Sequence, residues 1–235
     1  MYLLILTLLE IVLGIDNIIF ISIVTDRLPA LKKRKARNLG MTLALVVRII
    51  LLTMVSWIMQ MTEPLFTLFG HHFTGQGLVL IAGGLFLIYK STIEMHNSVK
   101  GNEEEDKHKS KETMTGIIIQ IILVDLVFSF DSVISAIGMT NGIRQETGEN
   151  PLIIIYFAVI ISMIMMLLFA GQIGKFINEN PTIKMIALSF LVTIGVLLVA
   201  EAFDQHIPKG YVYFALVYSL IVEVLNIRMR KNQSQ

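Results

Sequence analysis

The chain has 235 residues, 54% hydrophobic and only 16% charged, with a net charge of +1 and a mean hydropathy of +0.72. A soluble domain carries about 25% charged residues, so these values exclude an ordinary soluble core and point to a membrane protein. The balanced charge indicates no nucleic-acid partner, and the lack of cysteine excludes disulfides, zinc-thiolate sites and thiol nucleophiles.

The first apolar run, residues 2–24, has no basic n-region and encloses Glu10 and Asp16, so it reads as a membrane span rather than a signal peptide. Further runs near the roughly 20 residues needed to cross a bilayer follow at about 39–60, 76–95, 116–138, 152–174, 184–203 and 210–228. Seven spans predict an all-α polytopic fold in a lipid bilayer. Pro29, Pro64, Pro151, Pro181 and Pro208 all fall between spans, where a missing amide proton leaves nothing unsatisfied in lipid.

The connecting segments alternate in basic content. The first, Asp26 to Asn38, holds Arg27, Lys32, Lys33, Arg34, Lys35 and Arg37, whereas the second, Met61 to Gly77, holds no Lys or Arg. The third carries Lys100, Lys107, Lys109 and Lys111 and the fourth only Arg144; Lys175 and Lys184 bound the fifth, Lys209 lies in the sixth, and the tail has Arg228, Arg230 and Lys231. The positive-inside rule then predicts an outer N-terminus and a cytoplasmic C-terminus, which an odd number of spans satisfies. Glu103 to Asp106 beside Lys107 to Lys111 reads as a solvated linker, the ordinary behaviour of charge runs, although a metal or partner could use such a run.

The first and fourth spans resemble each other. LLEIVLGIDNIIFISI carries Glu10, Asp16 and Asn17, and LVDLVFSFDSVISAIG carries Asp125, Asp131 and Ser132 at a constant offset of 115. A weaker echo sets Gly84 of the third span against Gly195 of the sixth. Three spans per repeat invert the second copy, as in many secondary transporters with midplane sites. The predicted organisation is a first repeat at 1–97, a charged cytoplasmic linker at 98–114, a second repeat at 115–207, and a seventh helix with its tail at 208–235.

Four ionised carboxylates at mid-bilayer would cost roughly 10–14 kcal/mol even on the lenient insertion scale, so they must be protonated, paired or bound to a cation. One divalent ion and Arg48 in the second span supply three positive charges against four negative ones, and a proton can supply the fourth. Carboxylates, the Asn17 amide, the Ser132 hydroxyl and freed carbonyls are hard oxygen donors, suited to Mn, Mg or Ca over Cu(I) or Zn. The candidate metal ligands are therefore Glu10, Asp16, Asn17, Asp125, Asp131 and Ser132. Their bland alternative is a set of protonated carboxyls bonding neighbouring helices. Six helical residues turn about 240°, so Glu10 and Asp16 do not share a face, while Glu10 and Asn17 nearly do. Either the helix is disturbed near Gly14 or the two acids face different neighbours.

Other polar residues have paired readings. Arg48 is a counter-ion or gate, or a structural partner of Asp16 or Asp131. Lys90 is a gating residue or a snorkelling one. Glu201 and Glu223 are relay candidates on either side of the midplane. Met163, Met165 and Met166 form a soft-metal path or, more ordinarily, packing. His71 and His72 form an outer metal-collecting pair or plain surface, and His206 precedes Pro208 at the outer face. Gly138 and Gly142 have GxxxG spacing, which packing or a helix end explains. No G-x-S-x-G, P-loop or H-E-x-x-H motif occurs, so hydrolase and ATPase readings lack support and no enzyme is expected.

The stretches LEIVLGIDNIIFISI, LVVRIILL, GGLFLIYKSTIEMH, LVDLVFSFDSVISAIGMT and VAEAFDQHIPKGYVYFALVYSLIVEVLNIRMR resemble the TerC family of integral membrane proteins over nearly the whole chain. Ala202 and Asp204 stand where the family pattern has glycine. The resemblance implies a seven-helix fold, manganese efflux as in characterised relatives, and an older label of tellurium resistance. It carries the acidic motif positions onto Glu10, Asp16, Asn17, Asp125, Asp131 and Ser132. The expected function is a secondary transporter exporting Mn²⁺ as its transported ion, with proton coupling and no organic cofactor. The alternative is a membrane assembly or secretion factor with membrane-protein or secretion partners, including metal delivery to exported proteins.

Overall fold

The computed structural model describes residues 2–54, 64–68, 71–100, 113–147, 151–205 and 207–233. Helices α1 (Tyr2–Leu13) and α2 (Ile15–Asp26) form the first span; α3 (Ala30–Thr53), α4 (Gly75–Lys100), α5 (Met114–Thr147), α6 (Pro151–Glu179), α7 (Pro181–Glu201) and α8 (Lys209–Gln233) follow. Six of these spans are long and apolar enough to cross a bilayer, and α5 contributes the apolar stretch Met114–Phe130. The chain is an all-α polytopic membrane protein with seven spanning helices. Large apolar side chains such as Leu8, Leu85, Leu168, Phe214 and Ile221 face outward along them, as a lipid solvent requires.

The prolines act as helix starters. Pro151 and Pro181 are the first residues of α6 and α7, and Pro29 caps α3. Proline suits a helix start because its fixed φ is already helical and that position needs no amide proton. Asn180, the residue before Pro181, is extended at φ −123° and ψ 97°, as a following proline demands, and alone connects α6 to α7.

Two local features depart from the sequence reading. The basic segment expected as a loop at Asp26–Asn38 is mostly helix, because α3 begins at Ala30 and takes Lys32 to Arg37 into its first two turns. Lys and Arg favour helix, Lys32, Arg34 and Lys35 are exposed, Lys33 pairs with Asp26, and Arg37 packs its guanidinium beside Gly171. The second connection contains an antiparallel hairpin, β1 (Pro64–Leu68) with β2 (His71–Thr74), in which Phe66 stacks on Phe73 at 5.2 Å. The charged linker Glu103 to Lys111, Arg144 and His206 lie outside the residues whose side chains are described.

Packing follows the repeat. The first span packs on α6, its counterpart α5 packs on α3, and α4 packs on α7, each with the partner an exchange of the two halves requires. Helix α8 lies mainly on α7, outside this arrangement. Buried side chains form two apolar clusters. The larger includes Ile18, Met41, Ile121, Val124 and Ile194, and the smaller includes Leu6, Leu51, Leu52, Phe130 and Ile155. Glu10 and Arg48 lie along their helices between these clusters and Asp125 lies among members of the larger one, so the buried polar groups are enclosed by apolar ones.

Ala202 and Asp204 form the turn after α7. Asp204 has φ 60°, a left-handed conformation that glycine adopts freely and aspartate tolerates.

Candidate functional site in the buried polar layer

Gly14 interrupts the first span. Its amide donates to the Glu10 carbonyl at 2.9 Å and its carbonyl accepts from Ile18 at 3.1 Å, while its own ψ of −1° separates α1 from α2. A Cβ at this position would collide with the sulfur of Met166, so close packing of α6 also selects glycine here. The helix is disturbed at Gly14 and the two acids, about 240° apart around its axis, face different neighbours, so both sequence alternatives hold at once.

Glu10 turns to Arg48. The guanidinium is 2% exposed and uses three different nitrogens: Nη1 donates to Glu10 Oε2 at 2.8 Å, Nη2 to Asp125 Oδ1 at 3.4 Å, and Nε to Ser129 Oγ at 2.9 Å. Asn17 Nδ2 donates to the same Asp125 Oδ1 at 2.8 Å, and Ser129 Oγ donates to Asp125 Oδ2 at 3.2 Å. Glu10 and Asp125, the leading acids of the two repeats, therefore share one arginine. The direct ion pairs of Arg48 are thus with Glu10 and Asp125, beside the counter-ion or Asp16/Asp131 partner that the sequence suggested; the Asp131 side chain lies outside the described residues. A planar fork of donors on α3 reaches α1 and α5 and satisfies both acids and Ser129 in one fixed geometry.

Asp16 occupies a second compartment. The Tyr213 hydroxyl lies 3.2 Å from both of its carboxylate oxygens. A cavity of about 20 Å³ is lined by Leu13, Asp16, Phe128, Ser132, Ile194, Leu198, Lys209 and Tyr213. That volume holds one water or one dehydrated ion, which needs at least about 10–15 Å³. The Ser132 hydroxyl donates to the Ser129 carbonyl at 3.3 Å, leaving its oxygen able to accept or ligate. The side chain of Asp131 lies outside the described residues. Among the described residues, no three carboxylate or imidazole groups converge on one point. Five of the six candidate ligands are thus divided between an arginine-linked compartment (Glu10, Asn17, Asp125) and a cavity compartment (Asp16, Ser132).

The remaining candidates separate by place. Glu201 pairs with Lys209 at 3.4 Å at one end of α7, and Glu223 accepts from Thr182 at 2.6 Å at the other end. Lys90 is partly exposed on α4 and is not among the residues lining the cavity. Met163 and Met166 are buried in the large apolar cluster whereas Met165 faces outward, so packing accounts for them better than a sulfur path. His72 is exposed and bonds Thr67 at 2.9 Å; the side chain of His71 lies outside the described residues. Helix α5 continues past Gly138 and Gly142 to Thr147, so neither marks a helix end.

Sequence reasoning missed Ser129, Lys209 and Tyr213. Ser129 stands at the repeat offset from Gly14, inside the aligned stretch, where a polar residue opposite glycine was the available signal. Tyr213 and Lys209 lie on the helix outside the repeat, and no internal comparison marks them. Also missed was Glu94 of α4, which forms a buried ion pair with Arg27 just after α2.

Comparison with known proteins decides the family. The family described as integral membrane protein TerC matches residues 1–235. The chain belongs to the TerC family. A UPF0053 protein of Haemophilus influenzae is 47% identical over 224 residues, covering 95% of this chain and 91% of that relative. The UPF0053 inner membrane protein YgdQ of Escherichia coli K12 is 46% identical over 228 residues, or 97% of this TerC-family chain and 92% of YgdQ. The longer inner membrane protein YoaE of the same organism is 43% identical over 231 residues, 98% of this chain but 43% of YoaE. No solved structure shows a significant match.

Proposed function

We propose that this TerC-family protein is a secondary transporter that moves a divalent cation, Mn²⁺ in the most specific form of the reading, out of the cytoplasm. The observation that carries it is the buried charge. Glu10, Asp16 and Asp125 are each 3% exposed or less; Arg48 pairs with Glu10 and Asp125, and Lys209 lines the cavity that holds Asp16. Ionised, these three acids exceed the two cations beside them, Arg48 and Lys209, by one negative charge, and an ionised Asp131 would add a second, a pair that one divalent ion would balance. Charge of this kind persists in hydrocarbon only when neutralised.

The chemistry of the cavity supports a hard ion. Its polar lining offers the Asp16 carboxylate and the Ser132 and Tyr213 hydroxyls, with the Lys209 ammonium as its cation. Oxygen donors of this type suit Mn²⁺, Mg²⁺ or Ca²⁺. The exchange-related packing of the two halves supports alternating access by movement of one half against the other. The alternation of basic segments supports an outer N-terminus and a cytoplasmic C-terminus.

Manganese flux into proteoliposomes tests the proposal. Wild-type protein is expected to carry Mn²⁺, with Asp16→Asn and Asp131→Asn each abolishing flux while the protein remains folded. Undiminished flux in both variants would overturn the site assignment.

A further inference from the structure

Helix α8 stands outside the repeat, yet it reaches the cavity with two side chains one turn apart. Tyr213 contacts Asp16, and Lys209, four residues earlier, lines the same space. The Lys209 ammonium is also 3.4 Å from Glu201 Oε2, with the two side chains 23% and 21% exposed. Glu201 ends α7, the helix whose Ile194 and Leu198 wall the cavity. A cation on a flexible four-carbon stem thus stands between two carboxylates, one inside the cavity and one at its rim.

We propose that Lys209 is the resident counter-ion of the cavity: it serves Asp16 when no guest is bound and withdraws to Glu201 when a divalent cation takes Asp16. This inference rests on the reading of the cavity as a cation site. A volume of about 20 Å³ cannot hold an ammonium head and a metal ion together, and their like charges exclude each other as well. The exchange keeps Asp16 neutralised in both states, which a carboxylate enclosed by apolar layers requires. Glu201 is needed because the displaced ammonium also needs a partner. The partial exposure of the Lys209–Glu201 pair fits a contact that forms and breaks more readily than the enclosed Arg48 cluster. Lys209 is accordingly a positioning and competing group, and Asp16 holds the ion.

The competition has a signature of opposite signs. Removing the competitor strengthens guest binding, whereas removing its alternative partner leaves Lys209 on Asp16 and weakens binding. Mn²⁺ titration calorimetry on the full chain in lipid nanodiscs, with wild type, Lys209→Met, Glu201→Gln and Asp16→Asn, reads this directly. Lys209→Met is expected to bind Mn²⁺ roughly 5–10-fold more tightly and Glu201→Gln to bind it more weakly by a similar factor, a range usual for coupled sites. A merely structural ion pair would shift both variants in the same direction or neither, and either result overturns the proposal. If Asp16→Asn loses binding while wild type binds, the cation-site reading stands and the Lys209 and Glu201 variants judge this inference alone. If wild type binds no Mn²⁺, or Asp16→Asn binds as wild type does, the cation-site reading fails and this inference falls with it.

Discussion

Gly84 and Gly195 approach each other reciprocally. A Cβ built on Gly84 would lie 2.6 Å from the Gly195 carbonyl oxygen, and one built on Gly195 would lie 2.8 Å from that of Gly84. Helices α4 and α7 therefore cross backbone to backbone at a point that both repeats supply equally. The obstructing atoms are backbone, so side-chain repacking cannot relieve a larger residue. Gly84→Val and Gly195→Val are each expected to destabilise the protein by roughly 1–3 kcal/mol through overpacking. Thermal unfolding in detergent checks this, and the double variant should cost less than the sum because both changes open one crossing.

Arg48 carries the opposite kind of constraint, since its cost lies in charge. Arg48→Met strands Glu10 and Asp125 without their shared cation and is expected to cost roughly 3–5 kcal/mol, the usual result of removing one partner of a buried pair. Arg48→Lys keeps the charge but not the three-way fork, so it should fall between wild type and Arg48→Met. Unfolding midpoints of the three proteins in one detergent test that order. Equal stability of Arg48→Met and wild type would show that neither acid depends on the guanidinium.

Tyr213→Phe removes only the hydroxyl that faces both oxygens of Asp16. A hydrogen bond to a charged group contributes roughly 1.5–3 kcal/mol, and the variant should lose stability within or below that range while retaining the fold. The ring keeps its packing beside Phe190 at 5.7 Å. Manganese flux should fall as well, whereas Tyr218→Phe on the same helix, exposed and stacked on Phe214, should change neither quantity.

Guest binding should appear as stability. Saturating Mn²⁺ at about 100 times its dissociation constant is expected to add about 2.7 kcal/mol to the folded state. Chelation should remove that increment, and Asp16→Asn should show none of it. Melting curves recorded with and without the metal measure all three.

Asp204 offers a local test of backbone strain. Asp204→Gly is expected to stabilise by about 1 kcal/mol at most, and Asp204→Val to destabilise by about 1–2 kcal/mol, because a β-branched residue resists φ 60°. Unfolding midpoints of the two variants should bracket that of wild type.

The amino-acid sequence by itself determined the membrane fold, its seven spans and the duplicated acid motif. These depend on composition and spacing along one chain: apolar length selects a span, and proline and charge mark where it ends. It matched Gly84 with Gly195 as a weak echo between the halves, and only packing showed that the two glycines meet. Tertiary structure decided which charges meet. Glu10 and Asp16 lie six residues apart on different faces of one span, and packing gives one to Arg48 and the other to Tyr213. Lys209 and Tyr213 reach the cavity from a helix with no counterpart in the repeat, so only packing could reveal them. Buried polar partners are chosen by proximity between helices distant in sequence, and no property of a single span encodes that choice.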